Sequence, residues 1–427
     1  MKKRLLSVMA VLMTTLTLIA CGAPEETAET EPEPTATAHG IDAPGFERTM
    51  ITADRINNGE VYVHGEDGYY LLAEHGANTK LKAQVGGTCW ANAAASSMES
   101  NFLFTRGEEI TVDPYEIVDV VYDENKKEGL LPEKFNKMEF GGLGWFIMEV
   151  LSNGFGDYVL TAARNGEELT RQQIKDVIMT YGSITMGMSD QVDTRRVIDG
   201  YFTQYGPEKR DDHEVAIVGW DDHFPKRYFN HEPPIDGAWI VQDSLINSDY
   251  CYMSYDSPVI DTFQFELSDE YGEVLAYEAA FQGEIRTGDC TTLANVFHKK
   301  GTLAAVGTYI PRSGEPITIR IVDEDTGETL LEQSETYPIK GYYATPLEHE
   351  IPVENYRVEI KYRGYAPVEG DENYYDDGMI HYHATIKKGQ SYVKIGDTWY
   401  DMATKAARKM LGIKFKPHNA CIKALYA

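Results

Sequence analysis

Apolar residues recur at helical spacing in three stretches of the first half of the chain. The Ala-rich run from Cys89 to Phe104 carries Met98, Phe102 and Leu103 on one repeat, which predicts a buried helix starting at Cys89. A second helix is predicted over Gly144–Leu151 and a third over Thr170 to Tyr181, with Thr170 as start signal and Gly182 as stop. After Gly182 the texture changes. SITMGM, EVAIVGW, GAWIVQDS and YCYMSY read as strands, and VYVHG and YYLLAEHG nearer the start are strand-like. From about Phe265 onward apolar and polar residues alternate in short runs such as ITIRIV, YRVEIKY and SYVKIG, divided by turn signals such as Asp325-Thr326-Gly327. That alternation predicts a β-sandwich, interrupted by one short helix near Ala403 to Leu411. A helical stretch followed by strands, ahead of the sandwich, predicts an α+β domain with a helical lobe and a β-rich lobe.

At 427 residues the chain exceeds one compact core and fits two domains plus extensions. Lys2, Lys3 and Arg4 precede the apolar run Leu5 to Ala20, the pattern of a secretory signal over residues 1–20. The run is too short for a confident membrane span. It ends Leu18-Ile19-Ala20-Cys21, which resembles the bacterial lipobox, and this implies lipidation at Cys21. The Glu-, Thr- and Pro-rich stretch that follows has no large apolar residue, so a flexible acidic linker is expected over 21–45. A formal charge of −29 excludes nucleic acid as a partner, because phosphate binding needs a basic surface. Five cysteines are too few for a disulfide scaffold. With Cys21 and Cys89 set aside, Cys251, Cys290 and Cys421 allow at most one bridge.

Cys89 stands directly before Trp90 at a helix start, where unpaired N–H groups and the helix dipole stabilise a thiolate. Such a nucleophile needs a base, a group that orients the base, and donors for an oxyanion. Among eleven histidines His213 stands out, because it opens the apolar run of "DDHEVAIVGWDD" and would be held rigidly and desolvated there. The buried strand "GAWIVQDS" ends in Asp243, an acceptor for the imidazole N–H. Gln84, five residues before Cys89, has an amide that can reach an oxyanion.

In "QVGGTCWANA", "HEVAIVGWDD" and "GAWIVQDS" the chain resembles the papain-like cysteine peptidases over roughly Ala83 to Asp256. The resemblance implies Cys89 as nucleophile, His213 as base, Gln84 as oxyanion donor and Asp243 in the slot of the orienting Asn. "FGGLGWFIMEVLSNG" resembles the segment whose backbone pairs with bound peptide, which implies Gly141 and Gly142 as substrate-binding residues. The chain departs from the family in several places, among them the neighbouring disulfide cysteine, which is absent, and the stretch after Asp243, which is shortened. Gln84 and Cys89 are one residue closer than usual, Asp243 replaces Asn, and Leu245 stands where a shielding Trp is usual. "TTLANVFHKKGTLAAVGTYI" and the terminal "NACIKALYA" resemble the lectin-like domain that follows some bacterial papain-like peptidases. That resemblance implies a carbohydrate or cell-surface ligand without assigning residues to it. The acidic run Asp371 to Asp377 lacks the EF-hand pattern and is read as a solvated loop. No metal and no cofactor is expected.

The expected organisation is therefore a two-lobed papain-like peptidase domain over 46–265 and a lectin-like β-sandwich over 266–427. The expected function is a cysteine endopeptidase acting on peptide or protein substrates, anchored through Cys21 at the extracellular face of a bacterial membrane. Two other readings compete. A surface adhesin whose peptidase domain has lost activity fits Leu245 and the shortened loop after Asp243. A cysteine hydrolase or transferase of cell-wall peptides finds no wall-binding repeat in its favour.

Overall fold

The computed structural model describes residue 55, residues 58–59 and residues 61–427, apart from 78, 133–135, 247–249, 282, 371–379 and 413–418. The signal segment, Cys21, the linker and the Asp371 to Asp377 run therefore lie outside the described residues. The architecture is mixed α+β, with a helical lobe, a β-rich lobe and a further β-sheet region.

Three helices make the helical lobe: Cys89–Arg106, Pro114–Val121 and Gly144–Leu151. Their apolar faces meet in one core that includes Trp90, Met98, Phe102, Val118, Tyr122, Phe146 and Leu151. The long helix stops at Gly107, whose positive φ of 72° suits a left-handed cap that lacks a Cβ. The Pro114–Val121 helix was not foreseen from periodicity, although its start is written in the chain. Pro114 sits in the first turn and Asp113 accepts a hydrogen bond from Tyr115 N.

In the β-rich lobe the His213–Asp221 strand is central, and all nine of its residues are buried. It pairs antiparallel with Tyr69–Leu71, Ile184–Met188 and Ala238–Gln242. Packing on this sheet is the Arg171–Tyr181 helix, which begins with a reciprocal Thr170–Gln173 capping box. The VYVHG stretch, expected as strand-like, is not a strand. Tyr62 instead inserts its ring among Tyr201, Phe224 and Tyr228 and donates its hydroxyl to Asp221. YYLLAEHG is strand for three residues only, then turns through a short 3-10 helix to Gly76.

The remaining sheet is built on two long strands, Cys290–Ile310 and Gly341–Arg363, paired antiparallel with irregularities at His298/Gly301 and Leu303/Ala305. Two strands from the peptidase-like half join this sheet. Val159–Asn165 pairs with Phe263–Ser268 on one side and, through Ala162, Ala163 and Arg164, with Tyr343, Tyr342 and Gly341 on the other. The close approach requires Gly341, since a Cβ there would overlap the Ala163 carbonyl. A fully buried ion pair within the C-terminal half also reaches the other half through Asn153. Lys423 Nζ lies 2.6 Å from Glu278 Oε1 and donates to Asn153 Oδ1 at 2.9 Å, just beyond the Gly144–Leu151 helix.

Replacing Lys423 by Met would leave the Glu278 carboxylate uncompensated in the interior. We expect Lys423→Met to lower unfolding free energy by about 3–5 kcal/mol, measured by equilibrium denaturation against the parent chain. A loss below about 1 kcal/mol would show that the pair is replaceable by packing alone.

Candidate active site

Cys89 is the first residue of its helix, and Thr88 at the N-cap makes no side-chain cap bond to it. The Thr88 hydroxyl donates instead to Val85 O at 3.0 Å. The first-turn N–H groups are thus left without a side-chain acceptor, which favours negative charge on the Cys89 sulfur. Two glycines bring the preceding segment into place. A Cβ on Gly86 would overlap Met138 O, and one on Gly87 would lie 2.8 Å from Glu139 O. Gly87 N donates to Met138 O at 2.7 Å across this approach.

Trp90 follows Cys89 and is wholly buried, with Tyr122 edge-on to it at 5.7 Å. Gly142 lies flat against the indole, where any Cβ would overlap the ring. Tyr122 Oη donates to Gly141 O at 2.8 Å, so the Gly141-Gly142 segment is pinned beside the start of the Cys89 helix. Gly141 itself has φ of +88°, a conformation open to glycine at little cost.

The pairing of His213–Asp221 with Ala238–Gln242 sets the remaining geometry. Ala216 stands opposite Gln242, so one further residue puts Asp243 opposite Val215. Val215 and His213 share a face through the two-residue period of a strand, which makes His213 and Asp243 diagonal neighbours. The contact is present: His213 Nε2 donates to Asp243 Oδ1 at 2.7 Å, with both side chains buried. Leu245 N also donates to that oxygen, at 2.9 Å, which fixes the carboxylate. Nδ1 of His213 is buried without a nitrogen or oxygen partner, and Cys89 acts on the ring as hydrogen-bond partner and charge. Burial, the largest single influence, pushes the imidazole pKa down. The Asp243 charge and hydrogen bond, followed by Cys89, outweigh it and hold His213 well above its ordinary value.

Gln84 lies against the same strand end. Its backbone N donates to Ser244 O at 3.2 Å, and its Oε1 accepts from Ser244 Oγ at 2.8 Å. One Nε2 proton is given to Gly86 O at 2.7 Å, and the amide carries a second. Cys89, His213, Asp243, Gln84 and the glycine pair are thus drawn together from positions up to 159 residues apart in the numbering of Gln84 and Asp243. The part-buried Asp190–Arg195 pair was not foreseen. Arg195 Nε donates to Asp190 Oδ1 at 2.8 Å, and Asp190 feels the His213 charge. Nothing in the pattern around Asp190 marks it, since the link to His213 exists only in the fold. Cys89, Cys251, Cys290 and Cys421 form no disulfide among the described residues.

The fold and the site define a papain-like cysteine-protease fold with an adjoining lectin-like domain. A family model described as "Lectin like domain" matches residues 277–426. Among solved structures, the clostridial cysteine protease Cwp84 after propeptide cleavage is similar at 18% identity and a TM-score of 0.67, covering 84% of this chain and 98% of that one. The cysteine protease and lectin-like domains of Cwp84, a surface-layer-associated protein of Clostridium difficile, are similar at 18% identity and a TM-score of 0.67, covering 87% of this chain and 94% of that one. No curated protein matches the sequence.

Because Asp243 raises the His213 pKa, the protonated imidazole persists until pH climbs through that raised value. Removing the charge should move the transition to lower pH. We expect Asp243→Asn to lower the His213 pKa, read by NMR titration of the labelled ring. An unchanged titration would mean that the carboxylate is not what holds the proton.

Proposed function

We propose that the chain is a surface-anchored cysteine endopeptidase. The observation that carries the reading is the buried His213–Asp243 contact with Nδ1 left to Cys89 at an uncapped helix start. In the proposed reaction the Cys89 thiolate attacks a peptide carbonyl carbon. The second Gln84 N–H and the Cys89 backbone N–H stabilise the oxyanion. His213 gives its proton to the leaving amine as the tetrahedral intermediate collapses to a thioester. Water, deprotonated by His213, then hydrolyses that thioester and releases the thiolate. Asp243 keeps the imidazole oriented and charged, and the Gly141-Gly142 backbone aligns the peptide beside Trp90.

The proposed boundaries are 46–265 for the peptidase domain and 266–427 for the lectin-like domain, with a carbohydrate or cell-surface ligand for the latter. A chain of this fold whose relative is described as surface-layer-associated fits an extracellular, cell-surface location. The proposed anchor is lipid on Cys21 after removal of residues 1–20, with 21–45 as tether. Cys21→Ser should abolish fatty-acid labelling in the producing bacterium. Labelling that persists in that variant would remove the anchor from the reading.

A peptidyl epoxide, with the adduct located by mass spectrometry, tests the chemistry directly. It should modify Cys89 and spare Cys290, although Cys290 is the exposed thiol among the described cysteines. Cys89→Ala should lose both adduct and peptide turnover while keeping its thermal midpoint. An unlabelled parent that turns over no peptide would favour the adhesin reading.

A further inference from the structure

The outer face of the lectin-like sheet carries a row of side chains that the proposed peptide chemistry does not use. Register aligns Trp399, Lys394, Thr292, Lys361, Thr318 and Ser334 across six neighbouring strands. The residues one position along, Val393, Leu293, Ile360 and Ile319, point the other way into the core beneath. The row therefore faces outward, and Lys361 and Ser334 are exposed in it. At about 4.8 Å per strand it spans roughly 24 Å. Trp399 lies along the face at one end. Its ring centroid is 5.7 Å from Lys394 Nζ on the neighbouring strand and 5.6 Å from the guanidinium carbon of Arg357, two strands further on. The indole thus reaches across the sheet rather than standing up from it.

The row is not balanced by its own neighbours. In the adjacent row Arg320 Nε donates to Glu332 Oε2 at 2.7 Å and its Nη1 lies 3.8 Å from Glu359 Oε2, so charge there is matched. Arg357 is likewise held by Glu324 and Glu359. Lys361 and Lys394 form no salt bridge with any described residue. The Thr292 hydroxyl and the Trp399 indole N–H make no hydrogen bond among the described residues. Lys394 and Lys361 stand two strands apart, about 10 Å, with Thr292 between them. Alternate units of an extended polysaccharide repeat at a comparable spacing, and the apolar C–H face of a pyranose matches a flat indole. In a chain of formal charge −29, two uncommitted ammonium groups beside such a platform complement an anionic sugar.

We infer that this row binds an acidic polysaccharide, whose charged sugars meet Lys394 and Lys361 while a neighbouring pyranose ring stacks on Trp399. The inference rests on the proposed carbohydrate ligand of the C-terminal half and adds to it a place and a chemical class. Carboxylate or phosphate groups on alternate sugars supply the counter-charge that the two ammonium groups lack. The Thr292, Thr318 and Ser334 hydroxyls along the row offer hydrogen bonds to sugar hydroxyls. The indole covers one ring and keeps water from its apolar face.

Titration calorimetry on the full chain tests the inference with oligogalacturonate, a neutral cello-oligosaccharide of the same length, and polyglutamate as a polyanion without sugar. Oligogalacturonate should bind about tenfold tighter than the neutral sugar, and salt at about 0.5 M should shrink that difference. Lys361→Gln combined with Lys394→Gln should lower oligogalacturonate affinity about tenfold and leave the neutral sugar unchanged. Trp399→Ala should weaken both sugars by about fivefold or more. All three side chains stand on the outer face, so the variants should keep thermal midpoints close to the parent's. Sugar binding that neither variant alters would overturn the row as its site and leave the carbohydrate reading of the domain standing. Equal affinity for acidic and neutral sugars would overturn the anionic class, and equal affinity for polyglutamate would overturn the sugar. Binding of neither sugar would overturn both the inference and the carbohydrate reading.

Discussion

A buried imidazole beside a buried carboxylate is tolerable only when the two meet with good geometry, because each alone would carry a large desolvation cost. The 2.7 Å contact of His213 with Asp243 satisfies that condition through strand register rather than through a loop. A one-residue slip between the two strands would send Asp243 to the opposite face of the sheet. The register is secured on several sides. The central strand has three antiparallel partners, and Ser244 ties its flank to Gln84 ahead of the Cys89 helix. The site is therefore a property of the whole β-rich lobe meeting one helix end.

The helix end is fixed by a different kind of force. Trp90 is enclosed by Tyr122 and the bare face of Gly142, so dispersion and shape hold the backbone from which Cys89 projects. Electrostatics sets the protonation of His213, and packing sets where the sulfur stands.

Much of this was legible in the sequence. The Cys-Trp pair before an Ala-rich helix, the apolar strand opened by His213 and the strand running to Asp243 each announce themselves locally, and they come together in the fold. The glycines around Cys89 could be read as a turn, but their real task, close approach to Met138 and Glu139, involves a segment some fifty residues away. VYVHG alternated like a strand, yet the burial of Tyr62 in an aromatic cluster overrode that propensity. Asp190 left no local mark because charge carries no periodicity, and its partners are assembled only by the fold. The joining of Val159–Asn165 to the C-terminal strands was equally hidden, since sheet partners distant in sequence share no code.

That joining has a mechanical consequence. Most neighbouring domains in one chain are linked by a tether and swivel about it. Here a hydrogen-bonded ladder passes from the peptidase-like half into the lectin-like sheet, with Gly341 admitting the closest crossing. Rotation of one half against the other would have to break ladder bonds, so the pair behaves as a single lever. Whatever surface grips the far end sets the direction in which the Cys89 helix start faces, and the reach of the molecule is decided by where it is held rather than by how far it can bend.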